Sequence, residues 1–278
     1  RQMCIRDSSV AMLCMQYRMN AEIMALSNAL VYEGRLSCGS EDVACARLII
    51  PSCDQKKDCA TDNEAGIAAM LEAIIDPSRP CVFVDTDPVH AEESRTDTLV
   101  ENEAEAAWVA RIIEALRQAG VQGTDVGVLT PYRQQSKRLR DACASTEVLT
   151  IDQAQGRDWT VVLVSLVRSN TAHVAGELLR DRRRVNVMVT RAKTKLILVG
   201  SQSTMAADHA SHSPMRELVR LLDEKQVIVS LHKEAHKSID IPSRMSPRRQ
   251  RPVKKARGVL VRRPVLTEVL HEHGLTDE

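Results

Sequence analysis

Three short segments of the chain place arginines, amides and acids where packing does not require them. The first is QYRM at 16–19, which sets an aromatic ring and an arginine directly before a helical pattern. The second is TIDQAQGRD at 150–158, which connects two apolar runs. The third is RRRVNVMVTRAK at 182–193. The amides, acids, arginine and glycine of the second segment offer donors and acceptors suited to phosphate and ribose groups.

Each segment also has an ordinary structural interpretation when it is taken alone. QYRM could be a surface turn, and 182–193 could be a solvated basic helix. In that helix Val185, Met188 and Val189 recur at helical spacing and would face the core. The middle segment is harder to explain in this way, because its polar residues lie between two runs that predict buried strands.

Apolar runs of strand length alternate with helical patterns along the body of the chain. The predicted strands are Cys81–Asp85, Val126–Thr130, Glu147–Ile151, Val161–Val167 and Lys195–Gly200. The predicted helices are Ala21–Tyr32 with Asn20 as N-cap, Glu101–Ala119, Arg133–Cys143, Arg182–Lys193 and Pro214–Lys225. Strands that are apolar nearly throughout are typical of a sheet covered on both faces. Together the elements predict an α/β fold with a doubly wound parallel sheet, in which ligands bind at the carboxyl ends of the strands.

Composition shifts predict the domain organisation. Residues 1–14 are interpreted as the start of a fragment whose first residues are not native, and 15–231 as one domain with a surface insertion at about 37–80. From His232 onward eleven Lys/Arg stand against six acids, which gives a basic tail of +5 on a body of −4. We expect this tail, 232–278, to be disordered. Its two basic groups within 246–264 are compatible with nuclear import, or with a solvated tail of weak nonspecific nucleic-acid affinity.

Several protein classes are disfavoured by the composition. The eight cysteines are scattered without a CxxC pair, so we expect reduced thiols of an intracellular protein and no metal site. No apolar run approaches the roughly 18 to 20 residues that a membrane span requires, so no membrane partner is expected. No secretory signal is recognisable at the start.

Taken together and in order, the three segments resemble motifs IV, V and VI of superfamily 1 helicases. The matching patterns are QYRM, TxDxxQGxD and VNVxxTRAK, with TPYRxQ at 130–135 as a further match between them. Longer stretches, at Gln16–Ala44 and Gly176–Gly200, are similar to the eukaryotic DNA replication helicase–nucleases of superfamily 1B, which trim Okazaki-fragment flaps and resect broken ends. The RNA surveillance helicases share QYRM, QG and TRA but match the flanking residues less well.

The resemblance implies that this chain is the C-terminal RecA-like half of a 5′-to-3′ motor, with ATP held between two halves. Arginines that neutralise charge on the γ-phosphate would act catalytically; by the resemblance these are Arg18 and Arg191. The implied nucleotide contacts are Gln16, Tyr17 against adenine, Gly156, and Asp158 at the ribose. Gln155 would couple the nucleotide to DNA. The implied contacts to DNA phosphates are Thr130, Arg133, Thr150 and Arg168.

No GxxxxGK[ST] motif occurs in the sequence, so we expect the phosphate loop and the Mg²⁺ ligands on another RecA-like half, and no activity from this chain alone. In the resembled family the iron–sulfur cluster and nuclease carboxylates belong to a separate N-terminal region. The implied partners are single-stranded DNA, flap or junction DNA, the first RecA-like half and the nuclease domain, in the nucleus with the mitochondrion as a second compartment. The alternatives are an RNA helicase of the surveillance type and a noncatalytic nucleic-acid-binding module.

Overall fold

A computed structural model describes residues 13–51, 62–97, 99–143, 146–210 and 212–232 of the chain. The predictions for the first twelve residues and for the basic tail beyond His232 lie outside the described residues.

The described part of the chain alternates strands with helices. The strands are β1 (Met15–Gln16), β2 (Ser37–Cys38), β3 (Cys81–Asp85), β4 (Ser94–Thr96), β5 (Leu99–Glu101), β6 (Val126–Thr130), β7 (Glu147–Thr150), β8 (Trp159–Ser165), β9 (Ala192–Gly200) and β10 (Ile228–Ser230). The helices are α1 (Ala21–Ser27), α2 (Glu41–Ala44), α3 (Asp62–Ile75), α4 (Glu103–Gln118), α5 (Arg133–Ala142), α6 (Glu177–Arg180), α7 (Arg182–Val189), α8 (Gln202–Ala206) and α9 (Pro214–Glu224).

Six strands form one parallel sheet in the order β10-β3-β9-β8-β6-β7, and this confirms the predicted fold class. Alternate residues of β8 face opposite sides: Val162 and Val164 pack with α1, α7 and α9, whereas Val161 and Leu163 pack with α3, α4 and α5. Helices therefore cover both faces, which explains why the strands are apolar nearly throughout.

The predicted surface insertion at 37–80 differs from the structure in one respect. Its last part is helix α3, which buries Ile67, Met70 and Ile74 against the sheet. The two short strands β1 and β2 pair in parallel, which joins the beginning of this segment to the QYRM segment. Between β2 and α3, Leu48 is also buried in the core on the side of the sheet that α3 covers, so the described parts of this segment are attached to the main domain.

Helix α7 is shorter than the predicted helix 182–193. It ends at Val189, and the Thr190 hydroxyl donates to the Asn186 carbonyl oxygen at 2.8 Å, closing the last turn. The chain then enters β9 at Ala192, because this apolar segment pairs with β8 in the middle of the sheet. Arg191 consequently lies in a tight turn at the amino end of β9 instead of on a helix.

The connection from β7 to β8 is a crossover of only eight residues, 151–158, and it contains no helix. Parallel strands usually need a dozen or more residues for such a connection. Ile151 and Ala154 anchor the crossover by packing into the core on the α1 and α7 face. It therefore runs directly from the carboxyl ends of the strands, which we call the carboxyl edge of the sheet, to their amino ends, the amino edge.

Candidate functional site

The QYRM turn is built around the side chain of Gln16. Its Oε1 accepts from the backbone N–H groups of Arg18 at 2.9 Å and Met19 at 2.7 Å, while its Nε2 donates to the Met19 carbonyl oxygen at 2.7 Å. The amide is thus engaged by its own turn. This arrangement indicates that Gln16 shapes the turn, in place of the predicted direct contact with a nucleotide.

Asn20 joins this turn to the amino end of β9. The residue is fully buried, and its side-chain Oδ1 caps α1 by accepting from the N–H of Ile23 at 3.0 Å. Its backbone N–H donates to the Lys193 carbonyl oxygen at 3.0 Å, and its Nδ2 donates to that of Thr194 at 3.0 Å. The first and third sequence segments are therefore fixed side by side.

A carboxylate lies between two cations where these segments meet. Asp158, at the end of the crossover, accepts from Nζ of Lys193 at 2.6 Å and from Nε of Arg18 at 3.3 Å. The hydrogen bond from Lys193 and the positive charge of both partners hold the pKa of Asp158 below its usual value. The carboxylate positions Arg18, and its contact with a ribose remains a prediction.

Arg191 lies beside Arg18 and is only 8% exposed. Its Nε donates to the Val187 carbonyl oxygen at 3.0 Å, its Nη1 to that of Arg157 at 3.1 Å, and its Nη2 to the Thr190 hydroxyl at 2.9 Å. Arg18 donates from Nη1 to the Thr190 carbonyl oxygen at 3.1 Å, so both guanidinium groups contact Thr190. They lie at the amino end of β9, whereas the prediction placed the ligand site at the carboxyl ends of the strands. Burial, and then the like charge of Arg18, lower the pKa of Arg191, although an arginine stays protonated in proteins.

Three predicted residues around this cluster are accessible to solvent. Tyr17 is 67% exposed, and its ring covers Gly39 so closely that any side chain at position 39 would collide with it. Gly156 has a φ of +85° with open space where a side chain would be, and the neighbouring Gln155 is also exposed. We call the cluster of Arg18, Asp158, Arg191 and Lys193 the arginine edge of the sheet.

A groove of about 790 Å³ lies at the opposite, carboxyl edge. Its lining residues come from β5, the β6–α5 turn, α5, the start of the crossover and α6, and they include Tyr132, Arg133, Lys137, Arg140, Thr150 and Gln153. The Thr150 hydroxyl donates to Oε1 of Gln153 at 3.1 Å. Arg133 is exposed at the first turn of α5, so the structure brings together two of the predicted phosphate contacts, Arg133 and Thr150.

The other two predicted phosphate contacts do not reach this groove. Thr130 is fully buried, and its hydroxyl accepts from the backbone N–H of Tyr132 at 3.4 Å. The Arg168 side chain is 11% exposed and donates from Nε to Glu93 at 2.7 Å. Both polar groups are bonded inside the protein in this structure, and their contacts with DNA remain predictions.

Lys193 and Lys137 are candidate site residues that sequence reasoning did not assign. Lys193 belongs to the TRAK segment, so the motif itself could have indicated Lys193 as a site residue. Lys137 follows Arg133 by one helical turn, and this spacing places both cations on the same face of α5. The helical spacing from Arg133 could therefore have predicted Lys137 as a second cation of the groove.

Membrane and metal sites were sought among the described residues. No helix within them combines the length and the apolar character that a bilayer span requires. The described ranges also hold no group of three His, Cys, Asp or Glu side chains arranged to bind a metal ion.

Comparisons with known proteins identify the family of this chain. A family model described as "AAA domain" matches residues 1–203. The chain is 39% identical over 239 residues to DNA replication ATP-dependent helicase/nuclease DNA2 of Mus musculus, an alignment that covers 84% of this chain and 22% of that protein.

More distant organisms give the same result. The chain is 41% identical over 202 residues to DNA replication ATP-dependent helicase/nuclease JHS1 of Arabidopsis thaliana, which covers 71% of this chain and 14% of that protein. It is 33% identical over 283 residues to DNA2 of Saccharomyces cerevisiae, which covers 95% of this chain and 18% of that protein. The chain thus spans about a fifth of the length of the curated relatives that it matches.

Proposed function

Because this chain belongs to the AAA domain family and is homologous to DNA replication ATP-dependent helicase/nucleases, we propose that it is the C-terminal motor half of such an enzyme. In the complete protein it would convert ATP hydrolysis into 5′-to-3′ movement along single-stranded DNA. The proposed substrates are flap or junction DNA in replication and DNA ends in repair, with the nucleus as the site of action. The first RecA-like half would supply the phosphate loop and the Mg²⁺ ligands, and a nuclease region would hold the iron–sulfur cluster.

The observation that carries this proposal is the meeting of Arg18 and Arg191 at the arginine edge. Three cations, these two arginines and Lys193, surround the single carboxylate of Asp158, so the edge carries an excess of positive charge. Gly156 leaves open space beside them. A triphosphate fits such a site, since its charge would be matched by guanidinium groups and its phosphates could approach the backbone.

Within this site the chain's own residues would act on charge and orientation. When the first half docks, Arg18 and Arg191 would lie near the γ-phosphate and stabilise the negative charge that develops there as its bond breaks. Tyr17, which is exposed, would cover the adenine ring with its face. ATP itself supplies the bond whose hydrolysis drives the motor.

The groove at the carboxyl edge supports the second part of the proposal. Arg133 and Lys137 present positive charge on one helix, and the Thr150 hydroxyl lies across from them. Such contacts bind phosphates and position a strand without reading its sequence. The DNA strand and the nucleotide would therefore occupy opposite edges of one sheet.

The substitution Arg191→Ala in the full-length protein tests the proposal. We expect DNA-stimulated ATP hydrolysis to fall by about 10³-fold, the usual loss when an arginine finger is removed, while binding of single-stranded DNA stays near the wild-type level. Arg220→Ala, on the exposed surface of α9, is the matched control and should hydrolyse ATP normally. Near wild-type turnover by Arg191→Ala would remove the basis of the proposal.

A further inference from the structure

Four polar side chains meet in the interior next to the groove. They are Asn102, Glu105, Gln135 and Ser165, and each is no more than 1% exposed. We call them the buried polar network. None of the four was singled out as a site residue, although Gln135 belongs to the TPYRxQ segment. Burying so many polar groups is unfavourable unless each is hydrogen-bonded, so their partners show what the network holds in place.

The first of these partners is the backbone that leaves β8. Both carboxylate oxygens of Glu105 accept from the N–H of Val167, at 2.6 and 3.1 Å, and one of them also accepts from the N–H of Leu166 at 3.1 Å. On the other side of the same residue, Nδ2 of Asn102 donates to the Val167 carbonyl oxygen at 3.2 Å. The peptide groups on both sides of Val167 are therefore held by side chains from the start of α4.

Val167 itself has a backbone conformation that a valine rarely adopts. Its φ is +74°, in the left-handed region, where a β-branched side chain is a genuine outlier. Such strain persists only when the surrounding structure enforces it. Here the carboxylate of Glu105 and the amide of Asn102 are the groups that enforce it.

The strained residue directs the next side chain toward the wall of the groove. Arg168 donates from Nε to Glu93 at 2.7 Å, and its Nη1 lies 3.5 Å from the hydroxyl of Tyr132, which lines the groove. Gly176 permits this approach, because a side chain there would collide with the Arg168 guanidinium. The conformation of Val167 thus determines the position of Arg168, and through it the position of Tyr132 in the wall of the groove.

The same network also fixes helix α5, which carries the cations of the groove. Gln135 accepts at Oε1 from the N–H of Asn102 at 2.8 Å, and its Nε2 donates to the Asn102 carbonyl oxygen at 2.9 Å and to the Ser165 hydroxyl at 3.0 Å. Ser165 in turn donates to Glu105 at 3.2 Å. One connected set of hydrogen bonds therefore joins the first turn of α5 to the end of β8.

We propose that Glu105 is a positioning residue for nucleic-acid binding: through Val167 and Gln135 it holds Tyr132 and helix α5 at the separation that a DNA strand requires. This inference rests on the proposed role of the groove. Glu105 touches no ligand, and it acts through the backbone that it holds.

The experiment uses this chain and a fluorescein-labelled oligothymidine, with binding followed by fluorescence anisotropy. Burial raises the pKa of Glu105 to about 8, so the titrations are run at pH 9, where the wild-type carboxylate is ionised. Glu105→Gln replaces one acceptor oxygen with an NH₂ group that cannot accept from Val167. We expect about a five- to tenfold weaker affinity, the size of effect that a residue remote from the ligand can have.

A second substitution separates positioning from general stability. Val167→Gly in the Glu105→Gln background should restore most of the lost affinity, because glycine adopts a φ near +74° without help. Because relief of strain at Val167 would also raise stability, affinities are compared only where circular dichroism shows that each variant is folded. A role in stability alone would then leave the affinity of folded Glu105→Gln unchanged. Glu114→Gln, at the exposed far end of the same helix, is the matched control and should bind like the wild type. If Glu105→Gln does not fold, Ser165→Ala carries the test, with about a threefold loss expected from removing one donor.

The outcomes distinguish this inference from the proposed function. Arg133→Ala should weaken oligothymidine binding if the groove holds DNA. The positioning role is overturned if Arg133→Ala weakens binding while Glu105→Gln, or Ser165→Ala in its place, binds normally. It is also overturned if Val167→Gly gives no recovery. In both cases the proposal that the groove binds DNA is retained. Unchanged binding by Arg133→Ala would overturn both.

Discussion

At the level of single residues, the pairing of Asp158 with two cations decides how Arg18 is presented. Lys193 is the closer partner at 2.6 Å, so it neutralises most of the carboxylate and leaves Arg18 held more loosely at 3.3 Å. Both side chains are partly exposed, and the pairs are correspondingly weak. A weakly held arginine can exchange its carboxylate for a phosphate oxygen at little cost.

Lys193→Met should therefore alter both partners of the pair. We expect the pKa of Asp158 to rise toward its usual value, because its main hydrogen-bond donor is lost, and this can be followed by NMR titration of the carboxyl carbon in this chain. In the full-length protein Arg18 would then pair more tightly with Asp158, and KM for ATP should increase about two- to fivefold. Lys225→Met, at the exposed end of α9, is the control, and an Asp158 pKa that does not move in Lys193→Met would contradict this view of the cluster.

At the level of elements, strand β9 and helix α3 are joined by a fully buried lysine. Nζ of Lys195 donates to the carbonyl oxygens of Asp76 at 2.8 Å and Arg79 at 2.6 Å, just beyond the end of α3. The Asp76 carbonyl oxygen also accepts from the Arg79 N–H at 3.1 Å, so Lys195 ties both ends of the turn that follows α3 to β9. Burial lowers the pKa of Lys195 to about 7, so the folded protein disfavours the charged form of this side chain.

The consequence is a pH dependence of stability with a definite sign. Between pH 7 and about pH 10 the unfolded chain keeps the proton on Lys195 while the folded chain releases it, so the stability of the wild type rises with pH. Relative to Lys195→Met, we expect the wild type to gain about 2 kcal/mol in the free energy of unfolding from pH 7 to pH 9. Urea denaturation of both proteins measures this. A difference that stays constant with pH would show that Lys195 has an ordinary pKa, and exposed Lys137→Met should show no trend.

The elements also show what the sequence could and could not predict. Five strands of the main sheet lie within three residues of the predicted positions, because buried parallel strands read as continuous apolar runs. The strand β10 at Ile228–Ser230 was missed, because its apolar run at 227–229 has only three residues and is shorter than those of the predicted strands. Helix α1 was predicted to continue to Tyr32, but it changes to a π-helical turn at Asn28, whose side chain bonds Leu36. Helical periodicity contains no signal for such a contact.

For the candidate site, motif order predicted the meeting of Arg18 and Arg191, which lie far apart in the sequence. The contact of Arg168 with DNA remains a prediction, and its ion pair with Glu93, which comes from another loop, has no signal in the sequence. The buried polar network was not predicted for the same reason, because hydrogen bonds between distant segments produce no periodic pattern in the sequence. The pairing of polar groups that are distant in the sequence could be identified only from the structure.

At the level of the whole molecule, the two functional edges are separated by the full length of the strands. The groove should bind a DNA strand through phosphates, so its affinity should depend strongly on salt. Lys137→Ala should reduce the slope of log affinity against log salt by about 0.7, the contribution of one phosphate contact on a single strand. Oligothymidine titrations from low to physiological salt measure this slope. Arg220→Ala should leave it unchanged, and an equal reduction in that control would mean that binding is diffuse over the surface.

The crossover at 151–158 has a consequence that follows from its length. To reach Trp159 from Thr150 the chain must travel about 22 Å, down the length of β8 and across two strand spacings. A compact turn, closed by the hydrogen bond from the Ala154 N–H to the Thr150 carbonyl oxygen at 3.0 Å, uses four residues for about 6 Å. A second turn follows at once, closed by the hydrogen bond from the Arg157 N–H to the Ala154 carbonyl oxygen at 3.1 Å. Because the connection consists of two turns and a short final stretch, a change in either turn should shift Gly156 and Asp158 along the sheet, and with them the distance between the groove and the arginine edge.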